Sequence, residues 1–148
     1  MSWAEVMKIN SDMTMSLDEL IKSQRSLGAS DAVMAAPVSS NISISNGEKR
    51  LLATFKPSVT GSVRITASMR RGTSSEFYTV LSLEENGSEK AYARTDKTTY
   101  DIFSFDVEVL AEKTYKIYLS GTRGGQIDSL KICASVIDTS LLGYTIGG

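Results

Sequence analysis

The sequence predicts a mainly β protein: an antiparallel β-sandwich of jelly-roll type, about eight strands, preceded by an N-terminal α-helical segment. Three observations carry this. From about Asn41 the apolar residues recur with period two, as half-buried strands require. Turn chemistry punctuates that region at short intervals, at Asn46-Gly47, Asn86-Gly87, Ala111-Glu112 and Gly124-Gly125. Before it, the stretch MSWAEVMKINSDMTMSLDELIKSQRSL carries two helix-start signatures and an apolar stripe at helical spacing.

In chain order, Ser2-Trp3-Ala4-Glu5 fits a capping box, in which the serine hydroxyl accepts from the Glu5 amide and the Glu5 carboxylate reaches back. Ser16-Leu17-Asp18-Glu19 repeats it, with Met15 and Leu20 placed as a hydrophobic staple and acidic residues at the positive end of the helix dipole. Gly28 is a natural helix stop. Trp3, Val6, Ile9, Met13, Leu17, Leu20, Ile21 and Leu27 fall within an arc of about 120° on a helical wheel. The repeated capping box favours two helices meeting near Asp12–Met15 over one long helix. Val6, Met13, Leu20 and Leu27 also recur every seven positions, whereas the companion line Ile9, Ser16, Ser23 is apolar only at its start. That partial seam suits packing against another element better than a long autonomous zipper.

Residues 28–40, GASDAVMAAPVSS, read as a linker with a helical turn around Asp31–Ala35. Strands follow near 41–46, 50–56, 62–71, 76–85, 89–95, 100–110, 113–120 and 125–137. Val63, Ile65, Ala67 and Met69 alternate with Arg64, Thr66, Ser68 and Arg70, and the same alternation returns at Phe103–Val109, Tyr115–Leu119 and Leu130–Val136. Alternation of this kind means antiparallel sheets with one buried face each. The domain plan is therefore a helical oligomerisation or attachment segment at 1–27, a linker at 28–40, a sandwich at 41–140 and a tail at 141–148.

Composition removes several functions. The 148 residues carry a net charge of −1 with no basic stripe, which argues against nucleic acid. No histidine is present, so the commonest general base and metal ligand are missing, and one cysteine, Cys133, makes neither a disulfide nor an ordinary zinc site. No apolar run approaches the roughly 20 residues of a membrane span, and the acidic first residues do not resemble a secretory signal. Neither a cofactor nor a metal is expected.

The remaining constellations compete with plainer readings. Asp106 and Glu108 share a strand face and could serve a glycosidase, but two solvated carboxylates fit equally. Asp96, Asp101 and Asp128 could donate to calcium, yet no dense acidic loop exists. Tyr78, Tyr92, Tyr100 and Tyr118 lie among polar neighbours, and Arg94 follows Tyr92 on one strand face. Such rings are stacking platforms for sugars in binding sandwiches; the plainer reading is that strands favour tyrosine. Tyr92, Arg94 and Tyr118 are the ligand-binding candidates. Arg70-Arg71-Gly72 and Thr122-Arg123-Gly124-Gly125 read as solvated turns. Cys133 shares the parity of Lys131, away from the core, and needs a neighbouring element to shield it.

Isolated helices below ~12–15 residues are marginal in water, so the stripe of Trp3, Val6, Ile9, Met13, Leu17, Leu20 and Ile21 must dock on something. The opening Ser2 to Asp12, with Ser16 to Ile21, resembles the start of short structural proteins in tail modules of phages and prophages of Gram-positive bacteria. Phe55-Lys56-Pro57-Ser58-Val59-Thr60-Gly61-Ser62-Val63-Arg64-Ile65 is similar to strand-turn-strand segments of their minor tail or baseplate proteins. That resemblance implies a non-enzymatic component of a phage tail or tail-like particle made in the bacterial cytoplasm, a homo-oligomer (a trimer favoured) joined to other tail or baseplate proteins. Its outward sandwich is either a spacer or a host-surface adhesin for which a cell-surface glycan is one candidate partner. The alternative is a carbohydrate-binding module of jelly-roll type.

Overall fold

The computed structural model describes residues 33–72, 77–134 and the backbone of 142–146. Ten strands follow in order: β1 (Val33–Val38), β2 (Ile42–Ile44), β3 (Lys49–Pro57), β4 (Gly61–Arg71), β5 (Thr79–Glu85), β6 (Ser88–Thr95), β7 (Asp101–Val109), β8 (Tyr115–Gly121), β9 (Gly125–Cys133) and β10 (Leu142–Ile146). They form two antiparallel five-stranded sheets. The first runs β1-β9-β4-β7, with β2 also on the β9 edge; the second runs β10-β3-β8-β5-β6.

The alternation of the sequence is the reason for this layering. On β4, Val63, Ile65, Ala67 and Met69 are fully buried while the residues between them stay partly exposed. On β8, Tyr115, Ile117 and Leu119 point the same way into the second sheet's inner face. Facing them from β9 are Ile127, Leu130 and Ile132, so one apolar layer lies between the sheets. Phe55 and Tyr115 stack within it, ring centroids 5.2 Å apart.

Two strands lie where the sequence predicts none. Val33–Val38, inside the expected linker and overlapping the expected helical turn, pairs with β9, Val33 opposite Cys133 and Val38 opposite Leu130. Leu142–Ile146, inside the expected tail, pairs with β3 from Leu142↔Pro57 to Ile146↔Ala53. Both are edge strands. Pro37, which lacks an amide donor, is tolerated in such a place. Cys133, placed away from the core by sequence parity, is buried, and Val33 of this added strand is its in-sheet partner. The N-terminal helices and the stripe Trp3, Val6, Ile9, Met13, Leu17, Leu20 and Ile21 lie outside the described residues.

Turns gather at the two ends of the sandwich. At one end the 45–48, 96–100 and 122–124 turns join through Gly47 N to Gly121 O (2.9 Å), Gly124 N to Gly121 O (3.1 Å) and Arg71 N to Lys97 O (2.9 Å). Gly72 is required there by close approach, since a Cβ would stand 1.8 Å from the Arg123 carbonyl oxygen. At the other end the Tyr115 hydroxyl accepts from Leu110 N (2.7 Å) and donates to Glu85 Oε1 (2.8 Å).

Candidate functional site

The outer face of the second sheet brings the three predicted ligand residues together. β5 lies between β6 and β8, and the register sets Ser82 opposite Tyr92 on one side and opposite Tyr118 on the other. One row across three strands therefore reads Tyr92, Ser82, Tyr118. The two Cα positions are about 9–10 Å apart by strand spacing. Ser82 is only 6% exposed between its tall neighbours, whereas Tyr92 remains 56% exposed. The next row on the same face reads Arg94, Val80, Ser120, Lys49.

Charged side chains border the rings. Lys49 Nζ stands 4.5 Å from the Tyr118 ring centroid and 3.0 Å from Glu84 Oε2. The Arg94 guanidinium stands 4.5 Å from the centroid of Tyr78, a residue 44% exposed just before β5. A hollow of about 360 Å³ opens beside Tyr118, lined by Glu84, Asn86, Gly87, Thr114 and Lys116. The arrangement offers aromatic faces for the apolar side of a ligand and donors and acceptors for its edge. Sequence reasoning named Tyr78 among the candidate stacking rings but not among the ligand-binding residues, and did not name Ser82 or Lys49 for this face. Outward parity was their only sequence signal, because the Tyr92–Tyr118 proximity depends on β8 pairing with β5, strands that are distant in sequence.

Other candidates fall elsewhere. Tyr100 sits at the loop end, its hydroxyl donating to Asn41 Oδ1 and lying 3.4 Å from Gln126 Oε1. Asp106 is on the outer face of the first sheet, held by Arg64 through contacts of 2.8 and 3.1 Å. The Arg64 guanidinium draws the Asp106 carboxyl below its ordinary value, opposite to what a general acid needs. Asp101 is engaged by Thr95 Oγ1 and Lys97 Nζ, at 3.3 and 3.7 Å. Among the described residues no cluster of three acidic or cysteine side chains could hold a metal ion. The two arginine turns, read separately as solvated, converge: Arg70, Arg71 and Arg123 line one cavity at the loop end.

No family model matches the chain, and no curated protein matches its sequence. Solved structures share its fold. The sandwich is similar to a family 6 carbohydrate-binding module of Cellvibrio mixtus lichenase 5A, solved with cellotriose, at TM-score 0.50 and 13% identity over 70% of this chain and 99% of that one. It is also similar to a family 35 carbohydrate-binding module from an environmental isolate, at TM-score 0.47 and 14% identity over 69% of this chain and 72% of that one. A family 35 module of Cellvibrio japonicus Abf62 matches at TM-score 0.45 and 20% identity, over 70% and 72%. At these identities the likeness is one of fold. The finding corrects the reading as a structural part of a phage tail: the structure matched at TM-score 0.50 is a carbohydrate-binding module and gives no support to a tail or baseplate component. The apolar stripe that motivated the tail reading lies outside the described residues, so the sandwich is what speaks for function.

Proposed function

We propose that the sandwich, a jelly roll, is a non-catalytic carbohydrate-recognition module whose binding surface is the outer face of the second sheet. The observation that carries this reading is the row Tyr92, Ser82, Tyr118, two outward rings on alternate strands separated by a small side chain. A pyranose presents axial C–H bonds on its faces and hydroxyls on its rim. Rings held at fixed spacing meet the former, and Arg94, Lys49 and Glu84 meet the latter. Rigid strands hold the platforms, so little conformational freedom is lost on binding. The fold shared with a module solved in complex with cellotriose supports the same reading.

Titration calorimetry with the strongest ligand from a glycan array tests it. Tyr92→Ala and Tyr118→Ala should each weaken binding by about tenfold, near 1.4 kcal/mol, with unchanged thermal stability. Binding that survives both substitutions would remove the face from consideration.

A further inference from the structure

The cavity at the loop end has a volume of about 390 Å³, and its lining includes Arg70, Arg71, Arg123, Asn46, Thr98 and Gln126. Arg70 and Arg71 end β4 and Arg123 lies in the turn before β9, segments far apart in sequence that meet at the close backbone approach of Gly72 to Arg123. Their acceptors are neutral. Arg70 Nε donates to Gln126 Oε1 at 2.6 Å, and its Nη1 lies 3.4 Å from the Thr98 carbonyl oxygen. The Arg123 guanidinium stands 5.5 Å from the Phe77 ring centroid. Arg71 Nε and Nη1 are shut off from solvent without any hydrogen-bond partner.

Two arginines elsewhere are neutralised, Arg50 by Glu48 at 2.6 Å and Arg64 by Asp106 at 2.8 Å. Among the described residues no carboxylate lies within ion-pair distance of Arg70, Arg71 or Arg123. Glu48 and Asp101, at the same end, are engaged by Arg50 and Lys97. A guanidinium cannot shed its proton, and burying it without an acceptor is costly. Arg71 has two such buried nitrogens, and with the half-buried Arg70 and the exposed Arg123 it gives the cavity three positive charges with no negative partner among the described residues, a setting that suits an anion.

We propose that this cavity is an anion site that takes the carboxylate or phosphate group of an acidic sugar. The preference for an anion stands on the arginines alone; that a sugar carries it rests on the carbohydrate reading above. A planar carboxylate or a phosphate fits the guanidinium fork, and Asn46 and Thr98 supply polar contacts at the sugar ring.

Calorimetry and thermal shift of the full chain with glucuronate, glucose 6-phosphate, inorganic phosphate and glucose test this. The charged sugars should bind and raise the melting temperature, glucose should be at least tenfold weaker, and added salt should diminish the effect. The stronger of the two charged sugars identifies carboxylate or phosphate as the natural group. Arg123→Gln and Arg71→Met should each weaken the charged sugars at least tenfold, while Arg64→Gln on the first sheet's outer face should not. Arg71→Met removes two buried guanidinium nitrogens that have no hydrogen-bond partner, so its unliganded melting temperature should not fall, which separates lost binding from lost folding. Equal binding of glucose and glucuronate, or full binding by both cavity variants, would overturn the site. Inorganic phosphate binding as tightly as glucose 6-phosphate would overturn the sugar. Failure of neutral glycans on the tyrosine face, with arginine-dependent anion binding intact, would count against the carbohydrate reading and leave the anion site standing.

Discussion

Asp106 and Arg64 face each other across β4 and β7, and their bidentate contact is made in solvent, where screening keeps ion pairs weak. The carboxyl is nonetheless held below its ordinary value by the Arg64 hydrogen bond. A depressed carboxylate contributes stability that is present above the unfolded value and lost as pH falls through the folded one. Asp106→Asn should therefore be slightly less stable than the parent at neutral pH. The gap should close in acid below the ordinary carboxylate range and shrink with salt. Thermal melts of both proteins across that range check the sign. The same scale exposes how charges are sorted in this molecule: Arg64 and Arg50 sit beside carboxylates, Arg94 beside a ring, and Arg71 beside no acceptor. Sequence alone ranks these arginines equally, because each lies in or beside a strand with polar neighbours.

Strands with one wet face were readable from their pattern, and the eight expected strands all form, with boundaries shifted by a few residues. β1 and β10 escaped because edge strands need not alternate. VMAAPV buries residues in an irregular order, with Ala and Pro that disfavour strands in general, and its pairing with β9 includes register shifts. The turn between β5 and β6 was readable for a local reason: Asn86 and Gly87 both take positive φ, 51° and 80°, as a tight hairpin needs. The neighbouring 110–114 turn at the same end of the sandwich depends instead on a side chain. Tyr115 is buried, and burial foremost pushes its phenol pKa up. Its hydroxyl ties the 110–114 turn to β5 through Leu110 N and Glu85. Tyr115→Phe keeps the stacking on Phe55 and leaves the Leu110 amide without that acceptor. The expected cost is about 1–3 kcal/mol, read as a lower urea midpoint at unchanged slope.

At the scale of the whole molecule, function was less visible in the sequence than fold, for a topological reason. Tyr92 and Tyr118 are predicted outward by parity, but β6 and β8 become near neighbours only when β5 inserts between them. The arginine cavity likewise needs the end of β4 to meet the turn before β9. Neither is a local pattern, and without them the helical preface dominates the reading and leads to a tail component. On the functions proposed above, the two surfaces divide the chemistry of one sandwich: stacking on a sheet face, charge at a loop end.

If sugars are recognised by a flat, ring-bearing sheet, the backbone beneath those rings must feel the ligand first. Amide chemical shifts of the ¹⁵N-labelled chain, followed while a neutral oligosaccharide is titrated, put this to the test. Perturbations centred on Ser82, Tyr92 and Tyr118, fading towards β4 and β7, are the predicted result; a spectrum that stays still, or moves only on the first sheet, would contradict it.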